Sequence, residues 1–152
     1  ASNHQARRLM RKWFIIPGFL SLMFLYGCEL ETTDNGDLDG YWHLEQVDSL
    51  AGQRSIDYGQ SNIFWSIQFE LLQLSNLEDN TIIYKLVYDN RQLTLANPCM
   101  FDRADGDTLV TNVEVLRQYG VNALQENFKV VTLESRTMVL ESPVLRLHFR
   151  KY

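Results

Sequence analysis

The sequence predicts an all-β domain with one short helix, folded as a small antiparallel β-barrel of about 7–8 strands. Two patterns carry this reading: apolar residues recur at every second position through most of the chain beyond Gly40, and one stretch alone switches to helical spacing. The cysteine content is the third observation. With only Cys28 and Cys99 present there is no disulfide framework, so a hydrophobic core must hold the fold.

The elements follow in chain order. Ile63, Trp65, Ile67, Phe69 and Leu71 share one face of an expected strand, with Phe64, Ser66, Gln68 and Glu70 on the other. Ile82, Tyr84, Leu86 and Tyr88 repeat the pattern. A turn at Asp89-Asn90 follows, and Leu93 and Leu95 then alternate with Gln92 and Thr94, which together read as a hairpin. The helix is expected next, because Thr111 and Glu114 fit a capping box and Val113, Leu116, Gly120 and Leu124 recur at helical spacing. Gly120 is equally suited to ending that helix early. Phe128 to Glu134, Thr137 to Glu141 and Leu145 to Arg150 are three further strands, divided by Ser135-Arg136 and Ser142-Pro143, and read as a meander. Closure into a barrel is the usual way for such a sheet to hide its edges.

Ahead of the domain stands a basic cluster, Arg7, Arg8, Arg11 and Lys12, then an uncharged apolar run from Trp13 to Tyr26 that ends at Gly27-Cys28. That is the order of a secretory signal. The run is shorter than the roughly 20 apolar residues a membrane span needs, and Pro17-Gly18 would weaken a helix within it. Met10 is an alternative start. Leu25-Tyr26-Gly27-Cys28 resembles the lipobox of bacterial lipoprotein signal peptides, which implies that residues 1–27 are cleaved and that Cys28 carries the lipid. Because each buried methylene contributes about 0.8 kcal/mol, acylation there would tether the domain to a membrane.

Residues 28–39 are acidic and lack hydrophobic periodicity, so they read as a flexible linker. Acidic residues after the lipidated cysteine also resemble export signals of Gram-negative lipoproteins. The expected location is therefore the outer membrane of a Gram-negative bacterium, on its periplasmic or cell-surface face. Loss of the leader leaves 10 basic against 19 acidic residues, a formal charge of −9. Such a balance argues against a nucleic-acid partner and against a second, electrostatic grip on anionic lipid.

At Gly40-Tyr41-Trp42-His43-Leu44 the chain resembles the lipocalins and the lipocalin-like lipoproteins of Gram-negative bacteria, whose first strand opens with Gly-x-Trp. The strands after Phe128 are similar to the closing strands of that group. The resemblance implies a barrel over residues 40–152, with Gly40 and Trp42 at its floor and a late basic residue, Arg146 or Arg150, packed over the Trp. In true lipocalins the main helix follows the eighth strand, whereas here it precedes the last three strands.

Trp42, Phe64, Trp65, Phe69, Tyr84 and Tyr88 are the candidates to line a ligand cavity open at one end. A barrel of this size can equally be filled by its own side chains. Asp102-Arg103-Ala104-Asp105-Gly106-Asp107 fails the calcium-loop spacing, since Ala104 and Gly106 fall where ligands are needed. His43 and His148 lack a third ligand for zinc, and Cys99 has no activating base. No catalytic residue, metal or cofactor is expected. Two roles remain: binding a small hydrophobic or amphipathic ligand at the cell envelope, or serving as a tethered adaptor for an envelope protein partner.

Overall fold

The computed structural model describes residues 34–78 and 81–152. The expected signal peptide, Cys28 and the linker as far as Thr33 lie outside the described residues. The strands are β1 (Gly40–Ser49), β2 (Arg54–Asp57), β3 (Phe64–Gln68), β4 (Leu71–Ser75), β5 (Ile82–Asp89), β6 (Gln92–Met100), β7 (Thr108–Leu109), β8 (Glu126–Leu133), β9 (Thr137–Glu141) and β10 (Leu145–Lys151). A single helical turn, α1 (Glu114–Arg117), lies between β7 and β8, and a 3-10 turn, Gly36–Leu38, precedes β1.

Eight of these strands close into an antiparallel barrel in the order β1-β3-β4-β5-β6-β8-β9-β10, with β10 pairing back onto β1. β1 is long enough to serve two neighbours along one edge: Gly40 to His43 pair with β3, and Gln46 to Ser49 pair with β2. β2 and β7 lie off the ring, and the expected meander is β8-β9-β10. Period-two alternation sends Trp42, Trp65, Tyr84, Leu93, Phe128 and Phe149 inward, where each is buried.

Three expectations change. The single strand expected through Leu71 is a hairpin, because the chain turns at Phe69-Glu70, with Phe69 at φ 54°, and pairs Ile67 with Leu72. That two-residue turn shifts the phase, so Leu72 and Leu74 face inward while Phe69 (47% exposed) and Leu71 (51%) face out. The expected linker also ends sooner. Leu38 is fully buried, and the Asn35 side-chain amide donates to the Phe69 carbonyl at 2.6 Å, so residues from Asn35 on belong to the barrel floor.

The helix shortens to one turn. The expected Thr111 cap does not form: the N-cap is Val113, and just ahead of it Asn112 Oδ1 accepts the Glu114 N–H at 3.0 Å. Gly120, at φ +83°, then ends the helix: Val121 N–H donates to Leu116 O at 3.4 Å and Gly120 N–H to Arg117 O at 3.0 Å. This is the paired Schellman pattern, which a residue in the left-handed region permits. β6 runs through Asn97-Pro98 to Met100. Asn97 sits at φ 54° beside a register shift opposite Ile83 to Lys85, and such a bulge accommodates a proline that cannot donate.

Candidate ligand site: the floor, the interior and the plug

The strand register sorts the connections into two ends. The turns at Phe69-Glu70, Asn90-Arg91 and Ser135-Arg136 share the end where β1 starts and β10 finishes. This is the floor. Trp42 is fully buried there, and its indole N–H donates to the Leu38 carbonyl at 2.8 Å. Lys151 Nζ lies 4.6 Å from the Trp42 ring centroid and donates to the carbonyls of Asp37 and Asp39, each at 2.7 Å. Gly40 has φ +144°, and a Cβ there would stand 2.8 Å from Lys151 Cε. The Gly-x-Trp pattern thus has a local cause, since the lysine crosses where a side chain at position 40 would be.

The basic residue over Trp42 is therefore neither Arg146 nor Arg150. Alternation along β10 puts Leu147, Phe149 and Lys151 on the inner side and the two arginines on the outer. Arg146 pairs with Glu141, and Arg150 donates to Glu45 Oε1 at 3.0 Å.

The six candidate cavity residues separate. Trp42, Trp65 and Tyr84 are wholly enclosed at 0% exposure, with no water-sized space against them. Trp65 meets Phe149 at 4.9 Å and Phe128 at 5.6 Å between ring centroids, so side chains from β3, β8 and β10 fill the barrel at that level. Tyr88 is half-buried against the core. Phe64 faces outward and stacks on Tyr41 at 4.6 Å, and Phe69 projects from its turn.

The rest of the interior is occupied by the chain itself. Between β7 and β8, residues 110–125 run across the end opposite the floor and send Leu116, Tyr119 and Val121 into the core, each no more than 1% exposed. A Cβ on Gly120 would lie 2.7 Å from Leu147 Cδ2, so this segment reaches down against β10. We call it the plug. Burial of its three side chains contributes roughly 1.5–3 kcal/mol each. Polar contacts join plug and wall at several points: the Val110 N–H donates to Pro98 O at 2.8 Å and the Asn76 side-chain amide to Gln118 Oε1 at 3.3 Å. The Trp65 indole donates to Tyr119 O at 3.0 Å, the Tyr84 hydroxyl donates to Ala123 O at 3.3 Å, and the Asn122 N–H donates to Glu126 Oε2 at 2.7 Å.

Glu126 is a residue that sequence reasoning missed. The signal was present, because alternation along β8 places this carboxylate on the inner face with Phe128 and Val130. Burial raises its pKa, and the backbone N–H groups of Asn122 and Ala123 partly counter that. Tyr84 is raised as well, by burial and then by the Glu126 charge. Beside them Asn122 Nδ2 is buried without a hydrogen-bond partner.

Outside the barrel, His43 is bonded through Nδ1 to Glu45 and through Nε2 to the Ser61 carbonyl, both at 2.7 Å. His148 Nε2 and Ser55 Oγ bond different oxygens of Asp48, whose pKa falls to about 2 through hydrogen bonds from Ser55 and Gln46 and then His148. The carboxylate stands between hydroxyl and imidazole, so the histidine does not act as base on the serine. Among the described residues no three His, Cys, Asp or Glu side chains gather to hold a metal ion. Asp102 Oδ1 accepts the Ala104 N–H of its own loop at 2.8 Å, and Cys99 is half-buried.

These features define a closed eight-stranded antiparallel barrel with an apolar interior and a Trp-sealed floor. The profile of the lipocalin-like domain family matches residues 22–152, and the chain belongs to that family. A lipocalin-like protein from Bacteroides uniformis is similar in structure, with a TM-score of 0.57 and 20% identity, over 77% of this chain and 100% of the other. An uncharacterized protein from Bacteroides eggerthii has a TM-score of 0.52 and 16% identity, over 75% and 98%. No curated protein matches the sequence.

Proposed function

We propose that this protein is a lipid-anchored carrier or sensor of a small hydrophobic or amphipathic ligand at the cell envelope. The observation that supports it is a barrel wall complete in eight strands without the plug, enclosing an apolar interior that a non-strand segment fills. A wall that closes by itself keeps its fold while the interior changes occupant. The anchor in this proposal is Cys28, on the strength of Leu25-Tyr26-Gly27-Cys28, and the outer membrane of a Gram-negative bacterium is the proposed site. Native mass spectrometry of the purified chain, before and after denaturation, tests the carrier reading. A reproducible co-purified mass supports it; failure to bind any of a panel of fatty acids, acyl amides and hydrophobic dyes removes it. Metabolic labelling with an alkyne fatty acid in a bacterial host, with Cys28→Ser as control, tests the anchor.

A second reading, a tethered adaptor for an envelope protein, is favoured by apolar side chains on the outer wall. Leu71 and Val87 are 51% and 62% exposed on neighbouring strands β4 and β5. A photocrosslinker at Val87 that yields no specific protein adduct in intact cells would remove this alternative.

A further inference from the structure

We propose that the plug is a stand-in for the ligand, and that the barrel is built to receive a small amphipathic amide that displaces residues 116–123. This rests on the carrier reading above. The wall presents three polar groups to an otherwise apolar interior: the Trp65 indole N–H, the Tyr84 hydroxyl and the Glu126 carboxylate, from β3, β5 and β8. In the plugged barrel all three are met by peptide groups of the plug. The carbonyls of Tyr119 and Ala123 accept from Trp65 and Tyr84, and the N–H groups of Asn122 and Ala123 donate to Glu126.

Withdrawal of the plug would leave two donors and a carboxyl group buried and unmatched, which a purely hydrocarbon occupant cannot satisfy. The replacement must bring carbonyl acceptors, an N–H donor and an apolar body of the bulk of Leu116, Tyr119 and Val121. An acyl amide has that chemistry. The plugged state is also incompletely satisfied: Asn122 Nδ2 is buried with no partner, although buried amides in folded proteins are nearly always bonded. Outside its one helical turn the plug contributes no strand to the ring, so its departure breaks no rung of the barrel ladder.

The test titrates the full-length chain with N-decanoylglycinamide, and with methyl laurate as an apolar probe that lacks the N–H. Amide hydrogen exchange is followed by mass spectrometry and the Trp65 indole resonance by ¹⁵N NMR. The amide is expected to bind about tenfold tighter than the ester, to raise exchange across residues 110–125 while β1 and β10 stay protected, and to move the Trp65 indole signal. Tyr84→Phe and Glu126→Gln are each expected to weaken amide binding by about tenfold. Gly120→Ala places a methyl group against Leu147 and loosens the competitor, so binding should tighten by about tenfold. Should that variant fail to fold, Tyr119→Ser removes the largest buried plug side chain and is expected to shift affinity the same way.

Binding of either probe with residues 110–125 as protected as before would overturn the stand-in proposal and leave the carrier reading in place. Equal affinity for amide and ester would overturn the amide assignment. If neither probe binds the native chain or the loosened variants, the proposal and the carrier reading fall together.

Discussion

At the floor, Trp42 is sealed by groups that are themselves fixed: Lys151 is the last residue of β10, its ammonium holds the carbonyls of Asp37 in the 3-10 turn and of Asp39 just after it, and Gly40 leaves it room. At the opposite end Tyr119 and its neighbours are equally buried, yet they sit on a segment that meets the wall through individual hydrogen bonds and adds no strand to the ring. Burial alone therefore does not distinguish a structural closure from a movable one. What distinguishes them is the cost of removal: opening the floor takes apart the meeting of β1, β3 and β10, whereas lifting the plug leaves the ring intact.

Trp42→Ala separates the two ends most sharply. Truncating a buried Trp costs about 3–5 kcal/mol, and here the loss should be global, lowering the urea midpoint with exchange rising in every strand. Tyr119→Ala should cost less global stability and concentrate its exchange increase in residues 110–125. Equal global losses from the two variants would erase the contrast between fixed floor and movable plug.

Lys151→Met comes next. It removes two hydrogen bonds from a charged donor as well as the cation-π contact, and should cost about 1.5–3 kcal/mol in denaturant unfolding. Arg146→Met, which loses only a surface pair with Glu141, should cost below about 1 kcal/mol. Reversal of that order would return the floor to the arginine.

The floor was largely readable in the sequence and the plug was not. Gly40 and Trp42 form a local pattern with a steric cause on the neighbouring strand β10, whose alternation already puts Arg146 and Arg150 on the outer face. Period two along β10 puts Lys151 on the inner face with Leu147 and Phe149. The β3-β4 hairpin is not legible because Phe69-Glu70 carries none of the Gly, Asn or Asp that mark tight turns, and the alternation runs unbroken through Leu71. The plug escaped for a different reason. Helical spacing between Val113 and Leu124 predicts a helix that Gly120 is equally suited to end, but nothing in that spacing says that Tyr119 and Val121 turn into the barrel. Where an irregular segment packs is set by the space the strands leave, and no local pattern encodes that space.

Gly120→Ala sharpens the comparison at the plug. The residue has φ +83° and almost no room, so a methyl group should cost about 1–3 kcal/mol. If the plug is the weaker closure, the loss appears mainly as faster exchange across residues 110–125, with little change in the urea midpoint. A midpoint shift as large as that of Trp42→Ala would show that the plug folds as one unit with the wall.

The smallest effects concern pH, and they carry opposite signs in the two regions. Asp48, on the wall beside His148 and Ser55, has its pKa lowered from 3.8 to about 2. Its contribution to stability is present above 3.8 and is lost as the pH falls through that window, because the unfolded chain takes up the proton first. Glu126, at the plug, is raised above 4.5. Its contribution is fully present below 4.5 and is lost as the pH rises through its raised value, where a buried charge must be kept in the fold. Melting curves of the native chain, Asp48→Asn and Glu126→Gln across acid to neutral pH resolve the two. Glu126→Gln keeps an acceptor for the Asn122 N–H and should gain on the native chain as the pH rises above 4.5. Asp48→Asn should be less stable than the native chain at neutral pH and converge with it near pH 2. Parallel curves for Glu126→Gln and the native chain would mean that the carboxylate is solvated, and that the plug end is open where the geometry has it closed.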